Sequence, residues 1–275
     1  MLPEYEVYAL RYARVDRHPG ENFIGCAPQG AATSMDYFVW LIKNQDRTIL
    51  VDTGFDQAAA RERQREFLRC PIDYLQHFNL QPDHITDLVL THLHYDHAGN
   101  VSRLPQATIH LQEQELHFVT SSHMKYALLR NSYSARDVLA IVQGLFDQQV
   151  QLYAGDTHLA PGIELIHIGG HTRGLQSVRV HTRRGWLVIA SDASHYYDNI
   201  YQENPFPIVF HVGDMLKGFD RIKSLAGSKH HIIPGHDPKV MQYYPRTFTP
   251  EIDIVSLHES PVYLNHHEFE ETNDE

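Results

Sequence analysis

The sequence predicts a single α/β domain with its sheets inside and its helices outside. Three observations carry this. Apolar segments of strand length outnumber helix-forming stretches in the middle of the 275 residues, and helical composition flanks them. No internal repeat, low-complexity tract or Pro/Ser-rich linker divides the chain. A hydrophobic content of 42% is ample for a buried core at this length. One domain is read over 1–275, with a helical insertion at about 112–144 and a solvated acidic tail at 268–275.

Met35 to Ile42 is apolar and aromatic, Lys43 to Arg47 is a polar turn, and Thr48 to Val51 is apolar again, so the spacing predicts a hairpin that delivers Asp52 to a strand end. Gln57 to Arg69 is built of good helix formers. A short helical piece around Ile72 to Phe78 ends at Asn79, and Asp87 to Leu90 makes a strand running into Thr91-His92. Ala107 to Leu111 reads as a strand and 112–144 as helical, interrupted at Asn131-Ser132. Strands follow at Val150 to Tyr153, Ile163 to Ile168, Leu175 to His181 and Trp186 to Ala190, the last two joined by a solvated Arg183-Arg184-Gly185 turn. Asp214 caps a helix that runs to about Ala226, and His230 to Ile233 is a final strand before Pro234-Gly235-His236.

Composition narrows the function. Lys plus Arg is 23 and Asp plus Glu 34, a formal charge of −11, which argues against a nucleic-acid partner. Cys26 and Cys70 form no CxxC pair and fit a reducing cytoplasm; each reads as a small buried hydrophobe. Met1 to Leu10 carries no apolar signal core, and no apolar run approaches the roughly 20 residues that span a bilayer, so no membrane partner is expected. What stands out is 21 histidines.

They cluster in Thr91-His92-Leu93-His94-Tyr95-Asp96-His97-Ala98-Gly99-Asn100, where four potential ligands occupy six residues after a strand. On an extended chain His92 and His94 point to the same side, and Asp96 and His97 lie just past the bend. Such groups are costly to desolvate unless a metal satisfies them. His171, Asp192 and His236 each follow a strand in the same way. If these strand ends share one edge, five imidazoles and two carboxylates converge, a donor set suited to two borderline-soft divalent ions with Asp192 as bridge.

HxHxDH, a later His, a later Asp and a late Gly-His resemble the ligand order of the metallo-β-lactamase superfamily from about Asp52 to His236. The resemblance implies an αβ/βα sandwich with the metals at one edge. By position, His92, His94 and His171 would hold the first ion and Asp96, His97 and His236 the second, with Asp192 between them and Asp52 supporting the ligand loop from behind. Zinc is the expected ion. His171-Thr172-Arg173-Gly174-Leu175-Gln176-Ser177 is similar to the HTxGxQS pattern of the N-acyl homoserine lactonases, as are the aromatic Tyr95 inside the motif and Asp192-Ala193-Ser194. The chain departs from that pattern three residues after Asp192, where those lactonases carry a Tyr and this chain has His195, followed by Tyr196 and Tyr197.

Hydrolysis of a lactone or related cyclic ester is therefore the expected activity, with N-acyl homoserine lactone as the first substrate to test. Two divalent ions supply a hydroxide near neutral pH. Asp96 is placed to orient it and to pass its proton to the leaving oxygen, and His195, Tyr196 or Tyr197 to donate a hydrogen bond to the developing oxyanion. Tyr95, Tyr197, Phe206, Phe210 and the loop around Phe23 and Met35 are candidate walls for an acyl chain or ring. A thioesterase of the glyoxalase II kind, a phosphodiesterase drawing on Arg173 and Lys217, and an iron-dependent oxidoreductase are the competing readings. A homodimer is the assembly considered. His110, His117, His123 and His181 have no partner at ligand spacing, and Ser122-His123-Met124-Lys125 stands without the companions of an SxxK enzyme.

Overall fold

The computed structural model describes residues 2–262. The acidic tail at 268–275 lies outside them. In chain order the strands are β1 (Glu6–Asp16), β2 (Ser34–Lys43), β3 (Thr48–Val51), β4 (Glu66–Phe67), β5 (Asp87–Val89), β6 (Thr108–Gln112), β7 (Val150–Tyr153), β8 (Thr157–Ala160), β9 (Ile163–His167), β10 (Gln176–Thr182), β11 (Gly185–Ser191), β12 (Ile232–Pro234) and β13 (Ile254–Ser256). The helices are α1 (Gln57–Glu62), α2 (Tyr95–Ala98), α3 (Glu113–Val119), α4 (Ala127–Arg130), α5 (Ala135–Phe146), α6 (Tyr197–Tyr201), α7 (Val212–Leu225) and α8 (Lys239–Tyr243). One sheet runs β13-β1-β2-β3-β5-β6-β7, with β4 pairing β1; the other runs β12-β11-β10-β9-β8.

Strand β2 shows why the two sheets stack between helices, because it is buried along both faces. Phe38, Trp40 and Ile42 enter a core shared with Leu165, Val178 and Ile189 of the second sheet. Tyr37, Val39 and Leu41 face the other way, into a core closed by Leu116, Phe118 and Ile141 of α3 and α5. Behind the second sheet, Ile166, Val188 and Ala190 meet Met215, Phe219 and Ile222 of α7. The period-2 alternation of each strand thus sorts its side chains into an αβ/βα sandwich.

Strands β3 and β5 are parallel, as are β11 and β12, and β9 and β11 both run antiparallel to β10. The C-terminal ends of β9, β11 and β12 therefore lie on one edge of the second sheet, and β3 and β5 end side by side in the first. Asp52 and Ser191, just past β3 and at the end of β11, take positive φ of 62° and 49°, which turns the chain sharply there.

Several expectations are corrected. The helix expected over Gln57 to Arg69 ends at Glu62, since Gln64 adopts φ 55° and the chain turns into β4. His211, not Asp214, caps α7: its Nδ1 accepts from the Asp214 amide. His230 and His231 lie in a 3₁₀ turn before β12, and β13 follows as a later strand. Cys26 is exposed and Cys70 half-buried against Arg103. Strand β1 keeps charged residues inside the sheet because they are paired: Arg11 with Asp36 and Asp253, Arg14 with Glu66. Arg183 and Arg184 are not merely solvated. Arg184 donates to the carbonyls of Leu257, Glu259 and His230, and Arg183 pairs with Glu259, so the turn clamps the segment after β13.

Arg184→Ala removes a half-buried cation from three carbonyls. It should lower stability by about 2 kcal/mol, read as a drop in Tm, and leave metal content unchanged. An unshifted Tm would contradict the clamp.

Candidate metal centre

The loop after β5 and the short helix α2 carry His92, His94, Asp96 and His97. His171 follows β9, Asp192 follows β11 and His236 follows β12. The structure brings all seven together: the ligand atoms of His92, His94, His171 and Asp192 lie within 4.8 Å of one another, as do those of Asp96, His97 and His236. Asp192 stands between the two groups. Its Oδ2 faces His171 Nε2 at 3.2 Å and His92 Nε2 at 3.7 Å, and its Oδ1 faces His236 Nε2 at 3.0 Å and His97 Nε2 at 3.4 Å. Asp96, 12% exposed at its side chain, is the most open of the group; its carboxylate lies 3.9 Å from His97 Nε2 and 4.0 Å from His236 Nε2.

The surroundings fix which nitrogen of each ring points inward. His97 Nδ1 sits 2.7 Å from Asp52 Oδ2, His171 Nδ1 2.6 Å from the Ile208 carbonyl, and His236 Nδ1 2.8 Å from the Asp36 carbonyl. Thr91 Oγ1 donates to Asp52 Oδ2 and lies 3.1 Å from His92 Nδ1. Each of these rings can give its Nδ1 proton to an oxygen, which turns a bare Nε2 lone pair to the centre. His94 presents Nδ1 instead, 3.0 Å from His171 Nε2. With its proton on Nε2, His94 turns a second bare nitrogen toward that of His171, an arrangement a shared cation satisfies. His92 Nε2, His97 Nε2 and Asp192 Oδ1 are buried without a hydrogen-bond partner. These orphaned atoms and the N/O donor set fit divalent metal binding.

Electrostatics agree with a centre of high charge density. Burial and neighbouring imidazoles push His92 and His94 well below the usual histidine range, Asp192 opposing. Burial works against the charged form of His97, but Asp192, Asp52 and Asp96 hold it well above that range. Asp192 is itself well below the carboxylate range, because His195, His236 and His97 outweigh its burial.

His195 belongs to the same cluster. Its ligand atom lies within 4.8 Å of those of Asp192 and His236, and its Nε2 is 3.2 Å from Asp192 Oδ2. Its ring lies parallel on Phe206, with centroids 3.8 Å apart, and its buried Nδ1 has no partner. Tyr95 is buried on Phe55. Two other candidates are placed elsewhere. Tyr196 donates its hydroxyl to the Ser34 carbonyl, and Tyr197 packs on Tyr201 and Tyr243 in the core between the sheets, so neither hydroxyl serves as an oxyanion donor. Arg173 and Lys217 line a separate cleft of about 620 Å³ that contains none of the seven clustered residues. The cleft that does reach the centre, about 130 Å³, meets His94 and His171 and is walled by Phe118, Leu129, Tyr133, Ile208 and Phe210. Of the expected walls, Phe210 lines it; Phe23 packs near Tyr196, and Met35 is buried within β2.

One supporting residue escapes the sequence reading. Glu115, fully buried near the start of α3, accepts from Leu93 N (3.0 Å), Tyr133 Oη (3.2 Å), Thr172 Oγ1 (2.6 Å) and Gly174 N (3.1 Å). It ties the His92–His97 loop to the His171 loop. Gly174 has to be glycine here, since a Cβ would stand 2.1 Å from the Glu115 amide nitrogen. No local pattern marks Glu115; a Glu in the first turn of a helix reads as a surface residue.

Comparison with known proteins places these observations. The family model described as Metallo-beta-lactamase superfamily matches residues 35–238. An N-acyl homoserine lactonase of Bacillus thuringiensis is 25% identical over 224 residues, covering 76% of this chain and 84% of that protein. A crystal structure of a quorum-quenching N-acyl homoserine lactone lactonase superposes with TM-score 0.71 at 23% identity, covering 87% of this chain and 95% of that one. The dizinc quorum-quenching lactonase AidC, in complex with a product, superposes with TM-score 0.65 at 20% identity over 86% and 89% of the two chains. These superpositions show a common fold.

Asp52→Ala removes the partner of His97 and Thr91 and should weaken metal affinity about 10–100-fold, measured by competition with a chelator. Glu115→Ala should destabilise the fold by about 3 kcal/mol or more, because four donors lose their acceptor, and Glu115→Gln by less; equal stability of the Ala variant and the parent protein would remove Glu115 from the scaffold.

Proposed function

Because the chain belongs to the metallo-beta-lactamase superfamily, we propose that it is a dinuclear metal-dependent hydrolase that opens a lactone or a related ester. The observation that carries this is the two-faced placement of Asp192, each oxygen aimed at a different set of imidazoles. Its similarity in sequence to N-acyl homoserine lactonases supports the choice of ester chemistry. His92, His94 and His171 would hold one ion and Asp96, His97 and His236 the other, with Asp192 shared and Asp52 orienting His97 from behind. Zinc suits this donor set. When bound, two such ions supply Lewis acidity and an ionised water near neutral pH.

The chain's own residues do the rest. Asp96, the most open carboxylate, orients the attacking water, accepts its proton and returns it to the leaving alkoxide oxygen. His195 is held neutral, burial pulling its pKa down to about 3 against the influence of Asp192. Its Nε2 lies 3.2 Å from Asp192 Oδ2, and in the Nε2–H tautomer it would exchange that partner for a substrate oxygen at the centre. Phe206 fixes the ring plane by stacking. The apolar cleft beside His94 and His171 takes an acyl or ring substituent and excludes water from it.

A panel of γ-lactones, including N-acyl homoserine lactone, with a thioester and a phosphodiester, read by proton release, should show turnover of lactones above the others. Preferential thioester cleavage would favour the glyoxalase II kind, preferential phosphodiester cleavage a phosphodiesterase, and iron with oxygen consumption an oxidoreductase. Asp192→Ala should abolish activity and lower metal content. His195→Ala should change kcat/KM ratios among lactones by about tenfold while metal content holds. Unchanged ratios would return His195 to a packing role.

A further inference from the structure

Beside Asp96 stands a group of tyrosines and arginines. Tyr37 stands edge-on to the His236 ring at 5.2 Å, and its hydroxyl lies 3.5 Å from that of Tyr95. Tyr12 donates to the Asp96 carbonyl at 2.8 Å. Arg65 Nε donates to Tyr95 Oη at 3.3 Å, and the Arg63 guanidinium lies over the Tyr95 ring, 3.8 Å from its centroid. A continuous series of contacts thus leads from His236 through Tyr37 and Tyr95 to Arg65.

Arg65 is half-buried, and its one other hydrogen bond among the described residues is to the Arg63 carbonyl. A guanidinium carries five N–H donors, so several remain unmet. Among the described residues, neither Arg63 nor Arg65 pairs with a carboxylate, whereas Arg11, Arg14, Arg103 and Arg179 each do. Burial works against the charge on Arg65, and Tyr37, Tyr95 and Asp96 together hold its pKa above the ordinary value. Asp96 is in turn committed to the cluster with His97 and His236. The run 61–69 holds four arginines, Arg61, Arg63, Arg65 and Arg69, against two acids, Glu62 and Glu66, in a chain of net charge −11.

We propose that Arg65, supported by Tyr95 and Tyr37, receives a carboxylate carried by the substrate apart from its ester group, so that the enzyme selects carboxylate-bearing lactones or esters over neutral ones. The inference rests on the hydrolase reading above and narrows its substrate class. A planar fork suits a carboxylate.

The test compares two γ-lactones that differ only in a side-chain carboxylate against its primary amide, on the zinc-loaded full chain, with calorimetric binding of the matching non-hydrolysable cyclopentanones. The parent protein should prefer the carboxylate in both assays. Arg65→Gln should raise KM for the carboxylate lactone about tenfold or more and abolish the preference, lowering kcat/KM for the amide much less and leaving metal content unchanged. Arg65→Lys should restore part of the preference by charge alone. A parent protein indifferent to the carboxylate, or an Arg65→Gln variant that loses both substrates alike, overturns the assignment. If neither lactone opens, the hydrolase reading fails, and the calorimetry still decides the anion site: tighter binding of the carboxylate ketone, lost in Arg65→Gln, upholds it, and equal binding of the two ketones rejects it.

Discussion

Six imidazoles and two carboxylates share one nearly water-free edge of this sandwich, and their need for a positive partner governs the rest of the structure. Dry acceptors facing one another are expensive, and the hydrogen bonds within the cluster leave His92 Nε2, His97 Nε2 and Asp192 Oδ1 unmet. The surrounding protein is organised to keep them so. Asp52, the Asp36 carbonyl and the Ile208 carbonyl each stand at the outer nitrogen of a ring, so the inner lone pairs stay aimed at common points.

That arrangement is mechanically demanding, because the ligands come from both sheets. Thr91 and Ser191 meet across the interface at 2.9 Å, and the Gln176 amide reaches the Thr91 carbonyl. Glu115 performs the same task from outside, joining the two loops that carry His94 and His171 through one buried carboxylate. Burial pushes the Glu115 pKa up while its four donors pull it back, so the group works as an acceptor hub for the loops.

The centre was legible in the sequence because its ligands follow strands, and a strand end turns a local motif into a spatial one. His92 to His97 lie within six residues, and β9, β11 and β12 were each readable ahead of His171, Asp192 and His236. The supporting cast was not legible. Glu115 and Arg65 sit in segments whose composition reads as a solvated helix face, and only tertiary packing gives them their partners. Strand β1 hides its character behind charges that distant residues neutralise, and β13 is three residues long and exists by pairing with β1. Tyr196 and Tyr197 adjoin His195 in sequence, yet the turn into α6 sends their side chains to the Ser34 carbonyl and the inter-sheet core.

The cleft that reaches the centre is apolar and meets it at His94 and His171. All of it presupposes the ion pair. Titration of metal-free protein with cobalt(II), followed by its visible d–d absorption, addresses that premise most directly. The account predicts saturation at two ions per chain, with the second equivalent lost when Asp96 is replaced by Ala. Saturation at a single ion, or no absorption at all, would contradict it.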